Sequence, residues 1–238
     1  MQKRETGSLQ ILTILVAVLG TMVWFPLGAF GVSVDPMDDI FALEGSPITF
    51  SGSVTGDPPP PLYYSWDYDD GNTSAGINLW DPVHAYGTDG EYRFMLTVQE
   101  NYPDGGTDDE TAIATIANAN PTVDAGTNRT VGVGQPVVYS GSFTDPGYLD
   151  DHYAQWIWDD GGVTGGSVSE VSGSGTVTDP HTYALEGVYN ITLTVWDYDG
   201  GVDVDEMTVT VVPEPASMLI LGALGAGMVA ARKVRRKK

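Results

Sequence analysis

Two pairs of adjacent aspartates, each at the end of a tryptophan-led turn, are the first residues whose types and spacing suggest chemistry. Asp69 and Asp70 close residues 66–71 (WDYDDG), and Asp159 and Asp160 close residues 156–161 (WIWDDG). Asp104 and Asp108 follow the first pair, and Asp199 and Asp203 follow the second, just before a closing apolar segment in each case. Carboxylates are hard oxygen donors, and Ca2+ takes about six to eight oxygens in adaptable geometry. The two groups Asp69, Asp70, Asp104, Asp108 and Asp159, Asp160, Asp199, Asp203 are therefore candidate calcium ligands. Calcium is the one cofactor the residues suggest. Their spacing matches neither an EF-hand loop nor a nonapeptide repeat. A second reading stays open, in which Asp70 and Asp160 cap their own turns and the other carboxylates are simply solvated.

Other chemistry finds less support. The chain has no cysteine, which excludes thiol catalysis, cysteine-ligated zinc and disulfides. His84 and His181 stand at equivalent places before an aromatic and read as structural, while His152 sits alone in an acidic stretch. No G-x-S-x-G elbow, HExxH helix or phosphate-cradling loop occurs. Paired carboxylates are so frequent that no pair stands out as an acid and base. The expectation is that the protein is not an enzyme and has no catalytic residues. Trp80, Trp158 and Trp196, with Tyr63 and Tyr153, are candidates for aromatic display towards sugar rings or a partner's pocket. Packing inside the fold is the alternative for each.

The elements that must hold these residues repeat once. EGSPITFSGSVT (44–55) aligns with VGQPVVYSGSFT (133–144), and EYRFMLTV (91–98) aligns with VYNITLTV (188–195). In the second pair, Tyr92, Phe94, Leu96 and Val98, and Tyr189, Ile191, Leu193 and Val195, alternate with other residues. That period of two marks a strand with one buried face. Clusters of Pro, Gly, Asp and Asn separate further short strands. About seven strands per repeat predict two tandem, all-β, two-layer sandwiches, with Trp66 and Trp156 as core pillars.

Charge is segregated. Residues 31–212 hold 30 of the 32 acidic residues but only Arg93 and Arg129 as basic ones, a net charge of −28. Such a field repels nucleic acid, which is excluded as a partner, and keeps the region soluble. Most basic residues lie at the ends. Lys3 and Arg4 precede an apolar run and small residues, which predicts a signal peptide over 1–30, cleaved near Ala29 or retained as an anchor. Residues 216–231 are apolar and predict a short transmembrane helix, followed by the basic tail 232–238. Val212, Pro213, Glu214 and Pro215 form an extended spacer before it, because two prolines fix φ and remove backbone donors. The predicted divisions are 1–30, 31–117, 118–212 and 213–238.

Two resemblances follow from these residues. WDYDDG and WIWDDG, with the opening NPTVDAGTNRTVGVGQPVVYSGSFTDPG (120–147), resemble the PKD domain, an immunoglobulin-like sandwich of surface proteins and of chains with secreted hydrolases. Trp66, Asp70 and Gly71, and Trp156, Asp160 and Gly161, match its motif, while Ile157 departs from the usual aspartate. Val212-Pro213-Glu214-Pro215, the small-residue helix and the basic tail are together similar to the PEP-CTERM sorting signal of Gram-negative bacteria. That likeness implies recognition and processing by an exosortase near residues 213–215, with membrane attachment through the helix beforehand. The combined expectation is a non-enzymatic exported protein of the cell surface or extracellular matrix, used for adhesion or scaffolding, with a surface protein or polysaccharide as partner. The alternative is a carbohydrate-binding accessory module acting beside secreted hydrolases.

Overall fold

The computed structural model describes residues 31–56, 61–100 and 105–213, together with the backbone pairing of two dipeptide strands, β1 (Ala17–Val18) and β2 (Thr21–Met22). The rest of the expected signal peptide, Asp104, Glu214, Pro215, the expected helix 216–231 and the tail 232–238 lie outside the described residues. Every regular element among the described residues is a β-strand. The chain divides into two compact units, 1–118 and 119–238.

In the first unit, β3 (Ser33–Val34), β4 (Ile40–Leu43), β5 (Ile48–Thr49), β6 (Val54–Thr55), β7 (Leu62–Asp67), β8 (Thr73–Ile77), β9 (Val83–His84), β10 (Gly90–Glu100) and β11 (Thr107–Ala117) follow in order. One sheet runs β4-β11-β10-β7-β8, antiparallel throughout except for the parallel pair β4–β11. The short pairs β3–β6 and β5–β9 are also formed. The alternation read from the sequence sets the faces. Leu62, Tyr64 and Trp66 of β7 and Phe94, Leu96 and Val98 of β10 point into a core completed by Phe50, Tyr68 and Tyr86.

The second unit holds β12 (Thr122–Asp124), β13 (Arg129–Gly132), β14 (Val137–Thr144), β15 (His152–Ile157), β16 (Val163–Val171), β17 (Ser174–His181), β18 (Gly187–Asp197) and β19 (Val202–Val212). They form one continuous sheet, β12-β14-β17-β16-β15-β18-β19-β13. It can close over a core because β16 changes partners along its length. Residues 163–166 pair with β15, and residues 167–171 pair with β17. Ser172 and Gly173 join β16 to β17 with positive φ at both positions, the backbone a tight two-residue hairpin requires. Trp156, Trp158, Tyr139, Ile191, Leu193, Val195 and Val209 fill the core.

The repeated Ser-Gly-Ser tells the same story in both units. A Cβ at Gly52 would collide with Leu96 and lie 3.1 Å from the Trp66 ring. At Gly141 it would collide with Leu193 and lie 2.9 Å from the Asp124 carbonyl. Glycine therefore lets the chain pass directly over the leucine at the centre of each core.

Candidate functional site

The tryptophan-led turns are built alike. Trp66 and Trp156 are fully buried. Trp66 donates its indole N–H to the Leu79 carbonyl at 3.0 Å, whereas Trp156 Nε1 has no hydrogen-bond partner among the described residues. Past each tryptophan the chain bends through Asp69 (φ 62°) or Asp159 (φ 60°), a left-handed conformation that aspartate tolerates better than most residues. The Arg93 backbone N–H donates to Asp69 Oδ2, and that of Asn190 to Asp159 Oδ2, each at 2.9 Å. These bonds tie the turn to the long strand beside it.

The next aspartate closes the turn. Asp70 Oδ1 accepts the Asn72 backbone N–H at 2.9 Å, and its Oδ2 lies 2.7 Å from His84 Nε2. Asp160 accepts the Gly162 N–H at 2.9 Å and lies 2.9 Å from His181 Nε2. Burial works to raise both aspartate pKa values, but the bonds from the turn and the histidine outweigh it and hold both below the usual carboxylate range. His84 stacks on Tyr68 at 4.1 Å and His181 on Trp158 at 4.3 Å. The Tyr86 and Tyr183 hydroxyls donate to the carbonyls of Tyr68 and Trp158 at 3.1 and 3.0 Å. At Ile157 the second unit lacks the aspartate that in the first, as Asp67, accepts the Asp69 N–H at 3.0 Å.

Among the described residues, Asp69 and Asp70 are not brought together with Asp108, nor Asp159 and Asp160 with Asp199 and Asp203. Asp69 contacts β10 at Arg93, whereas Asp108 faces Val98 on the same strand. Five residues of strand separate those levels, roughly 17 Å. Asp159 at Asn190 and Asp203 opposite Val195 are spaced in the same way. Asp69 and Asp108, and likewise Asp159 and Asp203, thus lie at separate levels along one long strand. Within neither unit do three described His, Asp or Glu residues bring ligand atoms within 4.8 Å of one another.

The carboxylates bond to backbone instead. Asp108 Oδ2 accepts the Val34 N–H at 2.9 Å, and Asp203 Oδ2 accepts that of Val123 at 2.8 Å. Asp205 takes the Ala125 N–H at 2.8 Å and Asp39 that of Ile113 at 2.9 Å. Asp197 Oδ1 takes three, from Asp199, Gly200 and Gly201, at 2.7–2.9 Å. Aspartate suits this use because its short side chain reaches a neighbouring N–H at small entropic cost.

His152 departs from the solvated side chain its acidic surroundings suggest. Its side chain is fully buried, with Nε2 3.1 Å from Asp145 and Nδ1 2.7 Å from Glu170. Burial would lower its pKa, but the bonds and charges of the two carboxylates outweigh that and raise it. Leu62 holds the matching first position of β7, so the charged cluster belongs to the second unit alone.

The tryptophans offered for display divide. Trp158 is core. Trp80 is 47% exposed and packs edge-on against Tyr64. Trp196 lies on the outer face of β18, directly across from Tyr153 on β15. The two rings are parallel within 8° at 5.1 Å, and Tyr198 meets Tyr153 at 5.4 Å and 50°. With Asp197 and Gly200 these rings line an open depression of about 460 Å3. Tyr198 was the member the sequence reading missed. Its signal was its spacing of two from Trp196, in the bend directly after β18 ends at Asp197.

At the far end, Gly132 pairs with Val212, and the Val212 carbonyl accepts the Val133 N–H at 2.9 Å. The last ladder bond of the sandwich is therefore made at Val212, and Pro213 follows it exposed.

Comparison with known proteins agrees with this layout. A family model described as PKD domain matches residues 34–117 and 118–211. A model described as PEP-CTERM protein-sorting motif matches residues 211–237. No curated protein matches the chain. Among solved structures, the fibronectin(III)-like modules of Clostridium thermocellum CbhA are similar at 17% identity, over 76% of this chain and 94% of theirs, with a TM-score of 0.34. A titin fragment is similar at 13% identity, over 74% of this chain and 96% of its own, with a TM-score of 0.42.

Proposed function

The chain belongs to the PKD-domain family, which it carries twice, and we propose that it is a non-enzymatic protein of the cell surface or extracellular matrix, sorted there by an exosortase. The observation that carries this reading is the junction at Val212. The second sandwich makes its last ladder bond there, and the matched sorting motif spans 211–237. An enzyme reading Pro213-Glu214-Pro215 meets a proline-stiffened segment directly after a folded domain. Cutting there leaves both sandwiches intact.

On this reading the protein is made in a Gram-negative bacterium and held in the membrane by residues 216–231 until it is processed. The two modules then act as spacers or adhesive units, with a surface protein or polysaccharide as partner. The histidines support a non-catalytic role, since each is engaged by a carboxylate that also closes a turn or pairs inside the fold. The test is to replace Pro213, Glu214 and Pro215 together with alanine in the native host. The proposal expects the variant to accumulate at full length in the membrane. Normal release of the variant would contradict it.

A further inference from the structure

The depression lined by Tyr153, Trp196, Asp197, Tyr198 and Gly200 is the place where the second unit most plainly offers a surface that its own fold does not use. Tyr153 is 45% exposed and Tyr198 is 72% exposed. The rings are held by rigid elements. Tyr153 pairs with Trp196, and Trp196 with Val202, across three adjacent strands. The turn that carries Gly200 is fixed by the three N–H bonds to Asp197. Among the described residues the first unit has no such wall, because Tyr63 in the same register faces Gln99.

The occupant can be narrowed by size and charge. The exposed parts of Tyr153 and Tyr198 amount to roughly 200–300 Å2, well under half of the roughly 800 Å2 that one side of a stable protein interface buries. A second copy would also bring another strongly acidic domain against this one. A cationic peptide would be attracted to the whole acidic surface, so charge does not single out this spot. What singles it out is clustered aromatic faces beside phenol hydroxyls that both donate and accept. A pyranose ring has the matching shape, an apolar C–H face edged with hydroxyls. We propose that this depression binds single sugar rings of a neutral extracellular polysaccharide. One ring binds weakly, and many copies of the protein along one polymer raise the avidity. The proposal deepens the surface-protein reading and rests on it, but its failure leaves the processing of residues 213–215 untouched.

The experiment titrates the full-length chain, purified in detergent, with dextran, a mixed-linkage β-glucan, galactomannan and polylysine, at low and high salt. At least one neutral polysaccharide should bind, with an affinity that salt leaves unchanged. Trp196→Ala and Tyr198→Ala should each weaken it by about tenfold, the effect of losing one ring contact. Tyr63→Ala should leave it unchanged. Tyr198 is exposed enough that its removal leaves the fold intact, which covers the case of a misfolded Trp196→Ala. Three results would overturn the proposal. They are no binding to any neutral polysaccharide, binding to polylysine alone that high salt abolishes, or a Tyr198→Ala chain that loses self-association while polysaccharide binding is unchanged.

Discussion

Asp203 accepts the backbone N–H of Val123 at 2.8 Å, across 80 residues of sequence. Asp108 does the same for Val34 in the first unit, at 2.9 Å across 74 residues. Each bond fixes the entering strand of a sandwich to its last strand, where the entering backbone has a donor that no ladder satisfies. Much of the acidity of this chain is used in this way, as short acceptors for backbone N–H groups.

Removing one of these acceptors should therefore destabilise its unit. Asp203→Ala leaves the partly buried Val123 N–H without its bond, at a cost of about 1–3 kcal/mol. Asp203→Asn keeps an acceptor oxygen and should cost less. Urea unfolding of both variants checks the order. Equal stability of Asp203→Ala and the parent would show the bond to be idle.

The two pillar tryptophans should respond differently to phenylalanine. Both replacements lose buried volume, but Trp66→Phe also strands the Leu79 carbonyl, which accepts its indole N–H. Trp156→Phe loses no such bond, since its Nε1 has no hydrogen-bond partner among the described residues. Trp66→Phe should therefore be the more destabilising by about 1 kcal/mol. Thermal unfolding of the two variants compares them directly.

His152 makes stability depend on pH in the neutral range. Its pKa is raised in the folded state, so the folded state binds its proton more tightly than the unfolded state does. The stabilisation is complete below the ordinary histidine pKa of about 6.5. It is lost as pH rises through the higher folded value. His152→Leu, copying Leu62 of the first unit, should remove that alkaline decline. Urea midpoints from pH 5 to 9 provide the test. A parallel fall in parent and variant would clear His152 of the effect.

At acid pH the sign reverses. Asp70 and Asp160 have lowered pKa values, so their contribution is present above the ordinary aspartate pKa of about 3.9 and is lost as pH falls through the folded values. Asp160→Asn should flatten the acid limb of the stability curve while lowering its plateau. A variant with the acid limb of the parent would show that other carboxylates dominate there.

Much of the fold was legible because its signals are local. The alternation in residues 91–98 and 188–195 placed Phe94, Leu96, Ile191 and Leu193 inside, where they are. Trp66 and Trp156 were readable as pillars from the repeated turn. The β16–β17 hairpin was not, because its Gly- and Ser-rich sequence resembles a linker and its pairing depends on β16 changing partners. Trp158 was misplaced as a candidate for display. Period two counted from Trp156 puts it inside, and its N–H bond to the Gly162 carbonyl keeps that direction past the end of β15. The aspartate staples left no trace because their partners lie 24 to 80 residues away. Carboxylate chemistry at equivalent places in the two repeats suggested shared calcium ligands, and the length of β10 and β18 separates the described ones.

The intact mass of the mature protein from its native host, with membrane and medium fractions taken separately, tests the central claim most directly. An exported, exosortase-processed surface protein should lack about the first 29 residues, ending near Ala29, and everything after the Pro213–Pro215 motif. It should be found outside the membrane with both sandwiches intact. A chain that keeps residues 216–238 and appears only in the membrane fraction would contradict the claim.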